Sequence, residues 1–440
     1  MTTNPSGPTT VRWRVLALIV IGGFVAYFLR SNMSVAGEAM MRDLSLTKTQ
    51  LGFVLAAFAW GYAAFQFPSG VLGDKIGARR TIALCAIAWG VLNLMVGLMP
   101  SSGLLSITGT LAALVTLRAL MGVAQAPFYP VTGGSMICSW FPPKGWALPQ
   151  GLSNVGLTFG AAATPPIIAW LVQQYGWRAS YVITAPLGLV FALIWWWYVR
   201  DTPHEHPDVR VEEQALIDAE RPAFATGLAE SGAWKRVLRD RDLRMLTLSY
   251  LCSNFLFYFF FNWLYIYLVE NRGMKLLESG FYAAAPWVTG AGGALVGGIA
   301  CDRLAARFGM RWGYRAPGMV GLVLAAVFIL AAAGVSNPIV AVVLLSLCLA
   351  SQQATEAAFW TATIALSGKD AAAASGILNT GGNVAGGFGA ILVPLVVERF
   401  GWAAALGSAA CFSLAGAALW MLVDPNRELA KESGHATSVP

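Results

Sequence analysis

Twelve stretches of the chain are long and almost uncharged, and this feature limits the possible folds most strongly. A helix that spans the hydrocarbon core of a bilayer needs about 20 mostly apolar residues, because each residue advances the helix by ~1.5 Å. Only 12% of the residues are charged, whereas a soluble domain is about 25% charged. The stretches are 15–29, 51–67, 81–99, 103–117, 121–141, 151–172, 181–199, 245–269, 280–301, 317–335, 338–366 and 402–423. The sequence therefore predicts an all-α membrane protein with twelve transmembrane helices.

The cysteines and histidines predict neither a disulfide framework nor a metal site. The six cysteines are scattered through or beside the apolar stretches and form no CxxC pair. The three histidines fall in one polar loop and in the C-terminal tail. We therefore expect no cofactor and no metal. The basic N-terminal segment runs into an apolar stretch long enough to span, so we expect no cleaved signal peptide.

Lysine and arginine positions predict the orientation in the membrane. If the first helix starts inside the cell, 21 of the 29 lie in cytoplasmic segments and six in outer loops, while Arg30 and Arg118 lie within helices. Cytoplasmic loops carry an excess of these residues. Both termini are therefore predicted to be cytoplasmic, in a plasma membrane that would be the inner membrane of a bacterium. The net charge of +7 then follows from topology and indicates no nucleic-acid partner.

The two halves of the chain resemble each other in sequence. GDKIGARR (73–80) follows the apolar stretch 51–67 and CDRLAARF (301–308) follows the stretch 280–301, while QAPFY (125–129) returns as EAAFW (356–360). Such repeats build secondary transporters, which bind substrate near the membrane midplane between the halves. The predicted organisation is an N-terminal six-helix half (1–199), a cytoplasmic linker (200–244), a C-terminal six-helix half (245–424) and a cytoplasmic tail (425–440).

Several motifs resemble those of known transporters. GVLGDKIGARR (70–80) resembles the loop motif of the major facilitator superfamily. YFLRSNMSVA (27–36), LRALMGVAQAP (117–127), YFFFNWLYIYLVENRGM (258–274) and LNTGGN (378–383) resemble its anion:cation symporter family. That family includes sialin, vesicular glutamate carriers, and bacterial galactonate and hexuronate permeases. The resemblance covers nearly the whole chain and implies the major facilitator fold, with two pseudo-symmetric halves that rock about a central site.

The resemblance also implies a function, with alternatives that the residues leave open. We expect a secondary active transporter that imports a small organic anion, such as a sugar acid or an aromatic acid, together with protons. An anion uniporter or exchanger is the first alternative, and a drug/proton efflux pump is a weaker one. A non-transporting receptor is disfavoured because no signalling domain is evident, and an enzyme is not predicted. The expected partners are the anion, protons and the lipid bilayer, and we expect a monomer.

Three ionisable side chains are predicted to lie inside the membrane, namely Arg30, Arg118 and Glu356. A charge there costs about 2.5–3.5 kcal/mol on insertion scales and is usually functional. Two cations and one acid leave a surplus that suits a monoanion, whose carboxylate a guanidinium can hold through two hydrogen bonds. Arg118 is predicted to bind this anion, with Gln125 two turns along the same helix face. A structural ion pair for Arg118 and an interfacial position for Arg30 remain open.

The acids that the family uses for proton coupling are absent from their usual positions. The resemblance implies Asp-Arg in the first helix, where this chain has Leu29 and Arg30, and Glu-Ala-Pro in the fourth, where it has Gln125. The repeat aligns Gln125 with Glu356. We therefore predict that Glu356 is a relocated proton-coupling carboxylate. A static ion pair with Arg30 or Arg118, or a position outside the cavity, remains possible on sequence alone.

The remaining candidates contact substrate or gate the path. The loop motif and its repeat predict charged latches that form in one conformation and break in another, although they also fit ordinary cytoplasmic charge. These gating residues are Asp74, Arg79, Arg80, Asp302 and Arg303. Further polar or aromatic residues lie at helix positions that face such cavities. These predicted substrate-binding residues are Tyr27, Tyr62, Asn154, Asn254, Tyr258, Trp360 and Asn379.

Overall fold

The computed structural model describes residues 9–100, 106–142, 147–218, 233–367 and 371–426, and in this part of the chain almost every residue is helical. Long apolar runs make helices because a backbone in lipid has to satisfy its hydrogen bonds within the segment. The first half contains α1 (Val11–Leu44), α2 (Lys48–Ile76), α3 (Ala78–Gly97), α4 (Ile107–Gln125), a π-helical turn (Pro130–Met136), α5 (Ile137–Trp140) and α6 (Ala147–Tyr198). The rest contains a 3₁₀ turn (Pro203–Glu205), α7 (Val211–Asp218), α8 (Ala233–Arg239), α9 (Arg241–Asn262), α10 (Leu264–Glu270), α11 (Leu276–Gly334), α12 (Pro338–Gln353), α13 (Glu356–Ser367) and α14 (Ala371–Trp420).

The three longest helices are each two membrane spans in series. α6, α11 and α14 have 52, 59 and 50 residues, which is more than twice the length that a span requires. Each is broken at one glycine, at Gly176, Gly309 and Gly401, where φ is 83°, 77° and 78° and ψ lies between 165° and 176°. Glycine alone adopts this region readily. The chain reverses direction at each break.

The described residues hold twelve membrane-spanning segments. Eight helices are long and apolar enough to cross a bilayer, three of them are divided by the glycine breaks, and α2 supplies the remaining segment. The short helices α5, α10 and α13 continue the spans begun by α4, α9 and α12. The predicted twelve-helix architecture is therefore confirmed. Two of the predicted stretches, 103–117 and 121–141, nevertheless fall on the one span formed by α4 and its continuation, and no predicted stretch covers the first span of α14.

The bundle has two ends that differ in packing. We call the end at which Val11, Tyr198, Arg241 and Trp420 lie the terminal end, and the opposite one the far end. At the far end the halves are held together, since Lys48 pairs with Glu270 at 2.7 Å and Thr49 donates its hydroxyl and backbone N–H to Glu398 at 2.8 and 3.0 Å. α2 packs against α14, and α6 against α11. The halves therefore close on each other at the far end.

The linker is attached to the N-terminal half. Glu213 of α7 is fully buried, and its carboxylate accepts hydrogen bonds from the backbone N–H groups of Val11 and Arg12 at 3.3 Å and from the hydroxyl of Thr9. α1 has no capping side chain of its own at Thr10. A residue about 200 positions away therefore caps the first membrane helix. α9 begins at Arg241, so the predicted linker 200–244 includes the first turn of that helix.

Candidate functional site

A cavity of about 340 Å³ lies between the two halves. That volume suits a small organic ligand. The cavity extends from mid-depth toward the terminal end, since its wall includes residues from the early turns of α9 and α14. The structure brings nine of the predicted site residues together in this wall: Tyr27, Arg30, Tyr62, Asn154, Asn254, Tyr258, Glu356, Trp360 and Asn379.

Arg30 lies at mid-depth in the cavity wall and is only 4% exposed, so the alternative of an interfacial position is wrong. Its guanidinium donates a hydrogen bond to the hydroxyl of Tyr258 at 3.0 Å. Aromatic faces attract a cation but supply no compensating charge. The guanidinium carbon lies 4.4–5.6 Å from the centroids of five rings, those of Tyr27, Phe58, Tyr62, Tyr258 and Phe261.

No carboxylate among the described residues forms an ion pair with Arg30. Its Nε makes no hydrogen bond within the same part of the chain. A buried charge is normally paired, because removing it from water is costly. An unpaired guanidinium with free hydrogen-bonding capacity in a cavity wall is therefore suited to bind an anion.

A hydrogen-bond chain connects Arg30 to the other half. The Tyr258 hydroxyl, which accepts from Arg30, donates to Oδ1 of Asn383 at 2.8 Å. The amide of Asn383 donates to the carbonyl of Asn379 at 2.8 Å. α1, α9 and α14 are thereby joined at the depth of the cavity. A ligand that took hydrogen bonds from Arg30 would change the partners of this chain.

Glu356 lies in the cavity wall, at the first turn of α13, where the helix dipole favours an acidic residue. Its carboxylate accepts hydrogen bonds from the Tyr250 hydroxyl at 3.2 Å, the Trp360 indole at 3.2 Å and the Gln352 amide at 3.4 Å. It makes no ion pair with either membrane-buried arginine in the described chain. The structure thus shows neither the static pair nor a position outside the cavity.

Arg118 and Gln125 are buried but do not line the cavity. Arg118 donates to the carbonyl of Arg30 at 3.3 Å, and Gln125 donates to the carbonyl of Ala26 at 2.9 Å. The face of α4 that carries both is turned toward α1, and the Phe58 ring lies 5.1 Å from the Arg118 guanidinium carbon. In this conformation they position the turn of α1 that carries Arg30, and direct contact of Arg118 with an anion is not seen. Nor does Arg118 form an ion pair among the described residues.

Sequence reasoning missed several residues of the cavity wall. Tyr250 is one turn before Asn254, and Asn383 is one turn after Asn379, so helical spacing from a predicted residue could have found them. Tyr129 aligns with Trp360 in the repeat of QAPFY and EAAFW. The remaining residues that the prediction did not include are Leu157, Thr158, Ala161, Phe257, Trp287, Ala294, Gln353, Ala357 and Gly382.

The predicted gating residues lie at the terminal end. The Asp74 side chain lies outside the described residues. Arg79 donates from its guanidinium to the Trp196 carbonyl at 3.0 and 2.5 Å and from its backbone to Asp201 at 2.7 Å. Asp302 and Arg303 are exposed and make no hydrogen bond or ion pair within the described chain, and Arg80 is exposed as well. Latches at this end therefore remain a prediction.

Twelve spans in two related halves around a central polar cavity define a secondary transporter. The family model of the Major Facilitator Superfamily matches residues 19–314 and 304–438. The chain belongs to this superfamily, and it is an integral membrane transporter rather than an enzyme.

Curated relatives and solved structures agree with this assignment. The chain is 29% identical over 391 residues to the probable sulfoacetate transporter SauU of Cupriavidus necator, which covers 89% of this chain and 88% of that protein. It is 30% identical over 409 residues to the probable galactarate/D-glucarate transporter GudP of Bacillus subtilis, and this match covers 90% of this chain and 88% of that protein. Among solved structures, the chain is similar to a bacterial homolog of the human lysosomal transporter Spinster in an inward-facing and unoccupied conformation. The TM-score is 0.78 at 19% identity, and the match covers 97% of this chain and 99% of that chain.

Proposed function

We propose that this protein imports a small, singly charged organic anion together with a proton, and that a hydroxylated carboxylate such as a sugar acid is its substrate. The observation that carries the proposal is Arg30, a buried guanidinium without a carboxylate partner in the described chain, set in the wall of a cavity that is large enough for such a molecule. A substrate carboxylate would supply the missing negative charge.

The rest of the wall supports a hydroxylated substrate. Amide and hydroxyl groups surround the cavity, and each can exchange hydrogen bonds with a polyol. Relatives are named for sulfoacetate and for galactarate and D-glucarate, which are small organic anions with two acid groups each, so the preference for a monoanion is argued from the charges of this cavity. One arginine facing one glutamate across the cavity favours a monoanion over a dianion. The residues with this polar chemistry are Asn154, Thr158, Asn254, Gln353, Asn379 and Asn383.

Glu356 is the proposed proton-coupling group. Moving a net charge through a low-dielectric protein interior is costly. Uptake of one anion at Arg30 and one proton at Glu356 leaves the total charge of the buried groups the same as in the empty protein, whereas uptake of the anion alone does not. An anion uniporter or exchanger, in which Glu356 keeps one protonation state, is the alternative.

The proposed transport cycle exchanges two arrangements of the halves. Here the far end is closed by Lys48, Thr49 and their partners, while the cavity extends toward the terminal end. The excess of Lys and Arg at the terminal end supports a cytoplasmic location for both termini in the inner membrane. The Asp74 and Asp302 latches would then form when the terminal end closes. Because one chain supplies both walls of the cavity, we propose that the monomer is sufficient.

Uptake by purified protein in proteoliposomes tests the proposal. Labelled D-galactonate, with sulfoacetate and galactarate as doubly charged comparisons, is offered with and without a proton gradient that is acidic outside. We expect accumulation of D-galactonate only with the gradient, and weaker uptake of both dianions. Gradient-independent equilibration would favour the uniporter or exchanger, and preference for either dianion over D-galactonate would contradict the monoanion proposal.

A further inference from the structure

A second, smaller cavity lies next to the main one, where Trp287 borders both. It measures about 20 Å³, is bordered by Ser31, Ser34 and Val35 of α1 with residues of α6, α9, α10 and α11, and we call it the far pocket. Ala161 and Trp287 belong to the walls of both cavities. The far pocket therefore adjoins the main cavity on the side of the closed end.

Two serine hydroxyls in this wall have no partner. Ser31 is 5% exposed and Ser34 is 4% exposed, and the Oγ atom of each makes no hydrogen bond within the described chain. A helical serine usually donates to the carbonyl one turn back when nothing better is available. Spaced three apart, the two lie side by side on α1. Leaving two buried hydroxyls unpaired is unfavourable, and a polar ligand in the cavity that they border would pair both.

The size of the far pocket defines that ligand in the present conformation. A cavity must offer about 10–15 Å³ to hold one water molecule, and the water needs polar partners. The far pocket meets both conditions for a single water between Ser31 and Ser34. Nothing larger fits until its walls move.

The partition between the two cavities is thin and aromatic. The Phe261 ring centroid lies 5.9 Å from those of Tyr27 and Trp287, in edge-to-face contact with both. The same ring lies 4.6 Å from the guanidinium carbon of Arg30. Phe261 therefore separates the anion site from the two serines, and a change of its rotamer would join them.

We propose that the far pocket is the next station on the substrate path, where Ser31 and Ser34 bind one water in this conformation and hydrogen-bond a hydroxyl or carboxylate oxygen of the substrate when the far end opens. This proposal rests on the proposed function. Arg30 and the two serines lie close together along α1. The same anion can therefore pass from the far pocket to the Arg30 guanidinium while it stays in contact with this helix.

Cysteine accessibility tests the path without knowledge of the substrate. Ser31→Cys and Ser34→Cys are treated, in transport-active cells, with 2-sulfonatoethyl methanethiosulfonate, a membrane-impermeant anion. The thiolate attacks the sulfenyl sulfur, forms a mixed disulfide and releases methanesulfinate. Peptide mass mapping separates this product from labelling of the native cysteines. We expect both sites to be modified from outside, and D-galactonate to slow the reaction severalfold.

Ser413→Cys is the matched control, because Ser413 is also fully buried and its Oγ is also unpartnered, but it lines neither cavity. Labelling of Ser31→Cys and Ser34→Cys no faster than Ser413→Cys, in cells that still take up D-galactonate, would overturn the proposal. Rapid labelling with no uptake of any tested anion would support the path and contradict the substrate assignment.

Alanine variants test hydrogen bonding at the same station. Ser31→Ala and Ser34→Ala should each raise the KM for uptake from outside about three- to tenfold with a smaller effect on kcat, while Ser413→Ala leaves both unchanged. Unchanged KM in both far-pocket variants would refute substrate binding by the serines, even if the sites were accessible.

Discussion

The chemistry of Arg30 depends on its planar guanidinium. The side chain bonds Tyr258 and lies against five rings, and a lysine cannot reproduce either geometry. We expect Arg30→Lys to weaken D-galactonate binding at least tenfold, which corresponds to about 1.4 kcal/mol, and Arg30→Ala to abolish it. Binding to purified protein by calorimetry is the measurement, with the exposed Arg80→Lys as control. If Arg30→Lys bound D-galactonate with wild-type affinity, the proposal that the Arg30 guanidinium binds the anion would be wrong.

Gln125 occupies a position where a donor is required. Its amide donates to the Ala26 carbonyl at 2.9 Å, whereas an ionised glutamate would place an acceptor there. We expect Gln125→Glu to lower stability by about 1–3 kcal/mol at neutral pH. The loss should shrink as the pH falls, because a protonated glutamate can donate the hydrogen bond. Melting temperatures from pH 5 to 8, beside those of wild type, measure this, and a pH-independent difference would contradict it.

Helical periodicity correctly predicted which residues share a helix face, but it could not predict what each face contacts. Spacing along one helix correctly grouped Tyr27 with Arg30 and Asn254 with Tyr258, because residues three or four apart share a face. The same reasoning put Arg118 and Gln125 on one face, which the structure confirms. It could not say that this face meets α1 rather than the cavity, because the neighbour of a face is set by tertiary packing.

The twelve spans and the linker differ in how far sequence defines them. Apolar runs located most of the spans because lipid imposes a fixed length on each one. They missed the first span of α14, which is rich in glycine, and divided the span of α4 into two stretches. α7 has no such constraint, and its role depends on a contact with a helix about 200 residues earlier. The glycine breaks at Gly176, Gly309 and Gly401 each follow an aromatic residue in the sequence, but their positive φ becomes evident only in the structure.

Capping of α1 by α7 should contribute to stability. Glu213→Ala removes a buried carboxylate that accepts two backbone N–H bonds, and we expect a loss of about 1–3 kcal/mol. The neighbouring exposed Glu212→Ala should have little effect. Thermal unfolding in detergent compares the two variants. Equal stability for both would show that the cap contributes nothing to α1.

The contacts between the halves at the far end should set the balance between conformations. Thr49→Val with Glu398→Gln removes the hydrogen bond from the Thr49 hydroxyl and the carboxylate charge that strengthens the one from its backbone N–H, and both bonds join the halves at the closed end. We expect a larger population with the far end open, measured as a longer distance between spin labels at positions 42 and 399. The control is Glu278→Gln, an exposed residue of the same end. An unchanged distance distribution would mean that other contacts hold the far end.

In the molecule as a whole, we propose that one proton bound at Glu356 is transported together with one anion bound at Arg30. The neutral amide in Glu356→Gln imitates the protonated carboxyl, so the protein with bound anion can still open at either end. The variant no longer has a carboxylate that binds and releases the transported proton.

The most direct measurement compares, in proteoliposomes, gradient-driven accumulation of the labelled anion with its exchange against unlabelled anion inside. Proton coupling through Glu356 predicts that wild type and Glu278→Gln show both activities and that Glu356→Gln keeps exchange but no longer accumulates. Accumulation by Glu356→Gln equal to that of wild type would contradict it.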